Sequence, residues 1–244
     1  MIKAIIFDLG DTLILNSQTK KKINKSQLTY DLFLSEGIKV DWQTFLDTEQ
    51  KARDIYDFEY NGDIKRFESG FFYEKIGEAI GLTKPRSFYS KIDDAIENKF
   101  LENIQTPEKL NETLDLLEDK GIKLAIISNG HKRTILKKLA RANIEKYFSN
   151  IFISFELGED KSSLNAFKKM ITELKVDARE CLMVGDRLDE DMYARKIGMW
   201  TALVKYVPPK SVAKEIVQPH FELLKFSELP EIVNKINSGV IEFA

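Results

Sequence analysis

The stretch Lys3–Leu13, KAIIFDLGDTL, decides how this chain is read. Four consecutive apolar residues, Ala4 to Phe7, run into an acidic one, Asp8, and then into a turn that carries Gly10 and Asp11. An unbroken apolar run suits a strand buried on both faces of a parallel sheet, where alternation of polar and apolar residues is not required. Open α/β sheets bind ligands beyond the carboxyl ends of their strands, which is where Asp8 would stand.

Four further runs share this character: IKLAIIS (122–128), NIFIS (150–154), CLMVGD (181–186) and TALVKY (201–206). Helical patterns lie between and around them. In TPEKLNETLDLLEDKG (106–121), Thr106 reads as the N-cap and Pro107 as first turn. Leu110, Leu114 and Leu117 share one face, and Gly121 follows the end. KRTILKKLARANI (132–144) and SLNAFKKMITEL (163–174) repeat the helical spacing, and FELLKFSELPEIVNKI (221–236) reads as a last short strand followed by a helix. Strands alternating with helices predict an α/β fold, a doubly wound parallel sheet with right-handed crossovers.

The first strand breaks this rhythm. Residues 16–105 read as helices rich in aromatics, among them Phe33, Trp42, Phe45, Tyr56, Phe67, Phe71, Phe72, Phe88 and Phe100. Such side chains most simply form the core of a separate helical unit. The predicted organisation is therefore a sheet-based core from 1–15 and 106–244, with an all-helical insert over 16–105.

Composition narrows the function. The chain has 244 residues, 43% hydrophobic and 31% charged, in the range of an ordinary globular protein. A formal net charge of -2 lacks the basic excess of a broad nucleic-acid footprint. One cysteine, Cys181, allows no internal disulfide and fits a reducing compartment. His131 and His220 have no cysteine partners nearby, which argues against a zinc site. No apolar run approaches the ~20 residues that cross a bilayer, and Asp8 cuts short the only leader-like segment, so a cytoplasmic location is expected. Composition does not address the oligomeric state.

Chemistry-bearing residues recur at the predicted strand ends: Asp8; then Ser128 and Asn129 ahead of a helix starting near His131; then Lys161; then Asp186 and Asp191 in VGDRLDED. Each alone also suits a cap, a turn or a solvated surface. Together, on one edge of one sheet, they offer carboxylates for a hard cation such as Mg²⁺, with a hydroxyl and an ammonium for a phosphoryl group.

In this order FDLGDTL, IISNG, Lys161 within ELGEDKSSLNAF, and MVGDRLDEDMYARKIGMW, the chain resembles the haloacid dehalogenase-like (HAD) hydrolase superfamily. The helical insert resembles, in position, the cap of the branch that holds phosphoglycolate phosphatase-like enzymes and 2-haloacid dehalogenases. The resemblance implies a Rossmann-like core, Asp8 as nucleophile and Mg²⁺ ligand, and a small phosphorylated molecule as substrate. It further implies Ser128 and Asn129 as phosphoryl binders, Lys161 as the charge that steadies Asp8 and the phosphoryl oxygens, and Asp186 and Asp191 as metal residues.

One position departs from the family pattern. Its phosphatases usually carry a second Asp two residues after the nucleophile, which protonates the leaving alcohol and then activates water. Gly10 stands there and offers only its backbone carbonyl to the metal. Asp11 is a candidate substitute acid, although a turn residue is the simpler reading. Positioned acid–base help is worth about 10²–10⁴ in rate, so Gly10→Asp is expected to raise turnover. Dehalogenation needs no such acid, yet the acids of VGDRLDED have no use in a metal-free reaction. A phosphonatase-like reaction lacks an identifiable lysine in the insert. A phosphate-binding or regulatory module with little turnover is the reading from a different class.

Overall fold

The computed structural model describes residues 1–21, 23–60, 63, 65, 68–129, 131–159, 161, 163–207 and 215–240; Phe67 and Gly130 lie outside them. The chain divides into two compact units, one of Met1–Ser17 with Ile104–Ala244, the other Gln18–Asn103.

The first unit is built on six strands: β1 Ala4–Phe7, β2 Lys123–Ser128, β3 Asn150–Ile153, β4 Cys181–Gly185, β5 Trp200–Val204 and β6 Phe221–Leu223. They form one sheet in the order β3-β2-β1-β4-β5-β6, and every pairing is parallel. Each predicted apolar run supplies a strand, because side chains on both faces must be covered. One face packs Ile6, Ala125, Ile127 and Met183 against Phe167 and Met170 of the helix Leu164–Leu174. Every one of these six is fully buried, and burial of a large apolar side chain stabilises by about 1.5–3 kcal/mol.

Helix ends follow local chemistry. Ser163 caps Leu164–Leu174 by accepting the N–H of Asn165, 3.2 Å away. His131 is the cap residue of the helix Lys132–Arg141. Thr106 is not the cap of the following helix: that helix spans Leu110–Asp119, and its N-cap is Lys109, in the left-handed region at φ 59°. The turn at Glu108 and Lys109 re-aims the chain, so the Thr-Pro pair precedes the helix rather than opening it. At the other end Gly121, at φ 72°, lies just beyond the C-cap Lys120.

The second unit carries the helices Lys25–Ser35, Trp42–Asp54, Phe71–Ala79 and Arg86–Glu102. Asn24 and Asp41 cap the first two through their side chains. Phe33, Phe45, Tyr73, Ile76 and Tyr89 form its core, with Trp42, Phe72 and Phe88 packed at the margin. Gly77 sits against the Tyr89 ring so closely that a Cβ there would overlap it. Among the described residues no helix is long and apolar enough to cross a membrane.

Candidate active site

The strand order reverses direction between β1 and β4, with β2 on the other side of β1. Three neighbouring strands therefore deliver Asp8, Ser128 and Asp186 to one edge, at the crevice that doubly wound sheets leave there. Asp8 directly follows β1, and its N–H donates to the Val184 carbonyl at 2.9 Å. That bond continues the ladder and fixes where the carboxylate starts. Asp8 is only 5% exposed.

Lys161 supplies the opposing charge. It is 3% exposed; its ammonium pairs with Asp8 and lies 2.7 Å from Asp191 Oδ1. Burial by itself would lower the lysine's pKa, but the Asp191 and Asp8 carboxylates outweigh it, helped by Glu190, and hold the group charged well above its ordinary range. The Lys161 N–H donates to Asn129 Oδ1 at 3.0 Å. Asn129 thus anchors the loop that carries the lysine, a task of its side chain distinct from the phosphoryl contact expected of its backbone. Lys161 lies in the turn ahead of the helix cap Ser163 rather than within the helix.

Asp8, Asp186 and Asp191 each bring a carboxylate oxygen to within 4.8 Å of the others. The donors are all oxygens, with no thiolate or imidazole, which is the chemistry of a hard divalent cation. Asp191 stands apart from the other two. It is fully buried, and its Oδ2 accepts the Arg187 N–H at 3.0 Å. Its carboxylate also fills the space beside Gly185, where a Cβ would overlap it. Gly185 is needed because Asp191 packs directly on the strand end.

A cleft of about 180 Å³ opens over this cluster, lined among others by Asp8, Gly10, Asn16, Ser128, Lys161 and Asp186. Asp191 and Asp11 do not line it. Asp11 takes the left-handed conformation at φ 63°, is 3% exposed, and its N–H donates to the Ile14 carbonyl at 2.6 Å. Asp tolerates that backbone region better than most residues, and the position is that of a tight turn. The same turn is closed by bonds from the Leu13 and Ile14 N–H groups to the Leu9 carbonyl, at 3.1 and 2.9 Å. From the far side of the sheet's midline the Tyr206 hydroxyl donates to the Thr12 carbonyl at 2.6 Å. Burial, with the charges of Asp186, Asp8 and Asp11, pushes that phenol's pKa well up and keeps it a donor.

Sequence reasoning missed Asn16, Arg187 and Glu190 as cleft residues and Tyr206 as the tie on the turn. Arg187 pairs with Asp189 at 2.8 Å and with Glu190 at 3.0 Å. The acidic run of VGDRLDED carried that signal, since a lone Arg within it needs carboxylate partners.

A six-stranded parallel sheet thus carries an aspartate–lysine pair and clustered carboxylates at its switch point, an α/β site with the donors for a hard cation. The family model for haloacid dehalogenase-like hydrolases matches residues 2–197, and the chain belongs to that family of hydrolases. It is 28% identical over 209 residues to a glyceraldehyde 3-phosphate phosphatase of Pyrococcus abyssi, covering 84% of this chain and 82% of that one. Its fold matches that of a HAD phosphatase from Thermococcus onnurineus with a TM-score of 0.67 at 24% identity, over 95% of this chain and 98% of the other. A 2-haloacid dehalogenase from Pseudomonas syringae matches with a TM-score of 0.68 at 20% identity, over 96% and 99%.

Proposed function

We propose that this chain is a Mg²⁺-dependent phosphatase of small phosphorylated molecules, working through an aspartyl-phosphate on Asp8. The observation that carries the reading is the buried trio Asp8, Asp186 and Asp191 compensated by Lys161 beside Ser128. The phosphatase named among the relatives supports it.

Asp8 attacks phosphorus, and Lys161 draws charge from both Asp8 and the phosphoryl oxygens. The Ser128 hydroxyl and the backbone at Asn129 donate to those oxygens. Asp8, the Gly10 carbonyl and Asp186 would hold Mg²⁺, with Asp191 orienting from behind through Lys161 and the Arg187 N–H. When bound, the metal supplies the positive charge that lets two anions meet; at 4 Å and an effective dielectric of 20, two unit charges repel by about 4 kcal/mol. The helical unit Gln18–Asn103 takes the role of a specificity-setting cap. Neither nucleic acid nor membrane is a partner, and the location is cytoplasmic.

Purified protein with Mg²⁺ is expected to release phosphate from members of a broad panel of small phosphate compounds, and Asp8→Asn to abolish it. Halide release from 2-haloacids without phosphate release would overturn the proposal in favour of dehalogenation. Inactivity in both assays, with phosphate still bound, would leave a phosphate-binding module.

A further inference from the structure

Gly10 leaves a space, and the structure shows what fills it. A Cβ built on Gly10 would overlap Asn16 Nδ2, with Asn16 Cγ at 3.6 Å. Asn16 lines the same cleft as Asp8, Ser128 and Lys161. Its Oδ1 is buried and makes no hydrogen bond among the described residues. The turn delivers it there: the Asn16 N–H donates to the Ile14 carbonyl at 2.8 Å, and Gly10 and Ile14 form an isolated bridge. Asp11, the alternative acid, is not among the residues that line the cleft.

We infer that Asn16 stands in the place of the leaving-group acid, and that this replacement confines efficient turnover to acyl phosphates and phosphoanhydrides. The inference rests on the phosphatase reading above. A carboxamide has a donor and an acceptor but no proton to transfer at neutral pH. Asn16 Nδ2 can donate to the departing oxygen, and Oδ1 can accept from the incoming water. In the first step an Asp8 oxygen bonds to phosphorus, the bond from phosphorus to the leaving oxygen breaks, and its electron pair leaves on that oxygen. A carboxylate or phosphate departs as a stable anion, whereas an alkoxide needs a proton that Asn16 does not supply. In the second step water oxygen bonds to phosphorus and the phosphorus–Asp8 bond breaks. The carboxylate is restored, and the water's proton passes to the phosphate product.

While Asn16 stays in place, Gly10→Asp alone is expected to bring no gain, because the new side chain would enter space that Asn16 Nδ2 holds. Asn16→Asp is the better probe, because it is isosteric and needs no new space.

The experiment measures kcat/KM with Mg²⁺ for acetyl phosphate, inorganic pyrophosphate, an alkyl phosphate, and aryl phosphates that differ only in leaving-group acidity. Wild type is expected to favour acetyl phosphate over the alkyl ester by at least about 10²-fold, the size of missing acid catalysis, and to depend steeply on aryl acidity. Asn16→Asp should raise alkyl turnover about 10²-fold, flatten the aryl dependence and add an alkaline limb to the pH profile. The double variant Gly10→Asp/Asn16→Ala should do likewise, and Gly10→Asp alone should not. Equal wild-type rates on alkyl and acyl phosphates overturn the inference and leave the phosphatase reading standing; this comparison needs no variant to fold. An unchanged aryl slope in a folded Asn16→Asp, or a flattened one in Gly10→Asp alone, also overturns it. A wild type inert toward the whole series overturns both readings.

Discussion

Lys161→Met removes an ammonium that lies between two buried carboxylates while keeping most of the side chain's volume. Its partners, Asp8 and Asp191, are 5% and 0% exposed, so water cannot replace the lost charge. Removing one member of a buried pair costs about 3–5 kcal/mol. For a chain of this size each kcal/mol lowers Tm by about 2–4 °C, giving an expected fall of roughly 6–20 °C at pH 7.5. The pH dependence has a definite sign. In the wild type the lysine's raised pKa keeps its contribution complete below the ordinary lysine value, and it fades only as pH rises through the raised one. The variant's deficit should therefore hold across neutral pH and shrink only as pH rises through the raised lysine value. Differential scanning calorimetry in EDTA at several pH values measures both. A deficit under 2 °C at pH 7.5 would refute the claim that Lys161 neutralises this cluster.

Other perturbations test separate links. Asp186→Asn is expected to weaken Mg²⁺ binding about tenfold or more, roughly 1.4 kcal/mol, by titration calorimetry without substrate; unchanged affinity removes Asp186 from the ligand set. Burial and the Arg195 charge lower the His220 pKa to about 4, and its Nδ1 accepts the Thr201 N–H at 3.1 Å. Its neutral form therefore favours folding above pH ~6.5, the ordinary value, and that support is lost as pH falls to about 4. His220→Gln should flatten the fall in Tm across that window, and an unaltered curve would count against it. Gly77→Ala, which in an open helix would stabilise by about 0.5–1 kcal/mol, should here destabilise the helical unit by about 1–3 kcal/mol, because the buried Tyr89 ring blocks the methyl group. A rise in Tm would contradict that packing.

The sheet was legible because burial on both faces writes itself as an uninterrupted apolar run, and each predicted run forms a strand. Asp8, Ser128, Lys161 and Asp186 were legible for a related reason: each stands at or shortly after a strand end, and strand ends in such a sheet share one edge. Asn16 was not legible. It reaches Gly10 only through a turn with a left-handed Asp11, and no periodicity announces which residue a turn folds back upon. Asp191 lies near Asp8 and Asp186, but its depth was not legible, because its burial depends on the missing side chain of Gly185. Thr106 misled as a cap because a left-handed Lys109 is a backbone choice that side-chain preference does not encode.

The central place of β1 in the sheet carries a consequence for synthesis. Ala4 pairs with Lys123 on one side and with Cys181 on the other. At roughly 5–20 residues per second, about 6–24 s separate the emergence of β1 from that of its first partner. During that interval the helices of Gln18–Asn103, whose contacts are local, are free to fold, while an apolar strand that ends at Asp8 waits with both edges open. Ribosome-stalled chains ending before residue 123 should therefore protect the helical segment from protease and leave β1 available to chaperones or to other chains. The strand that leads into Asp8 would be made well before its partners and be among the last elements to find shelter.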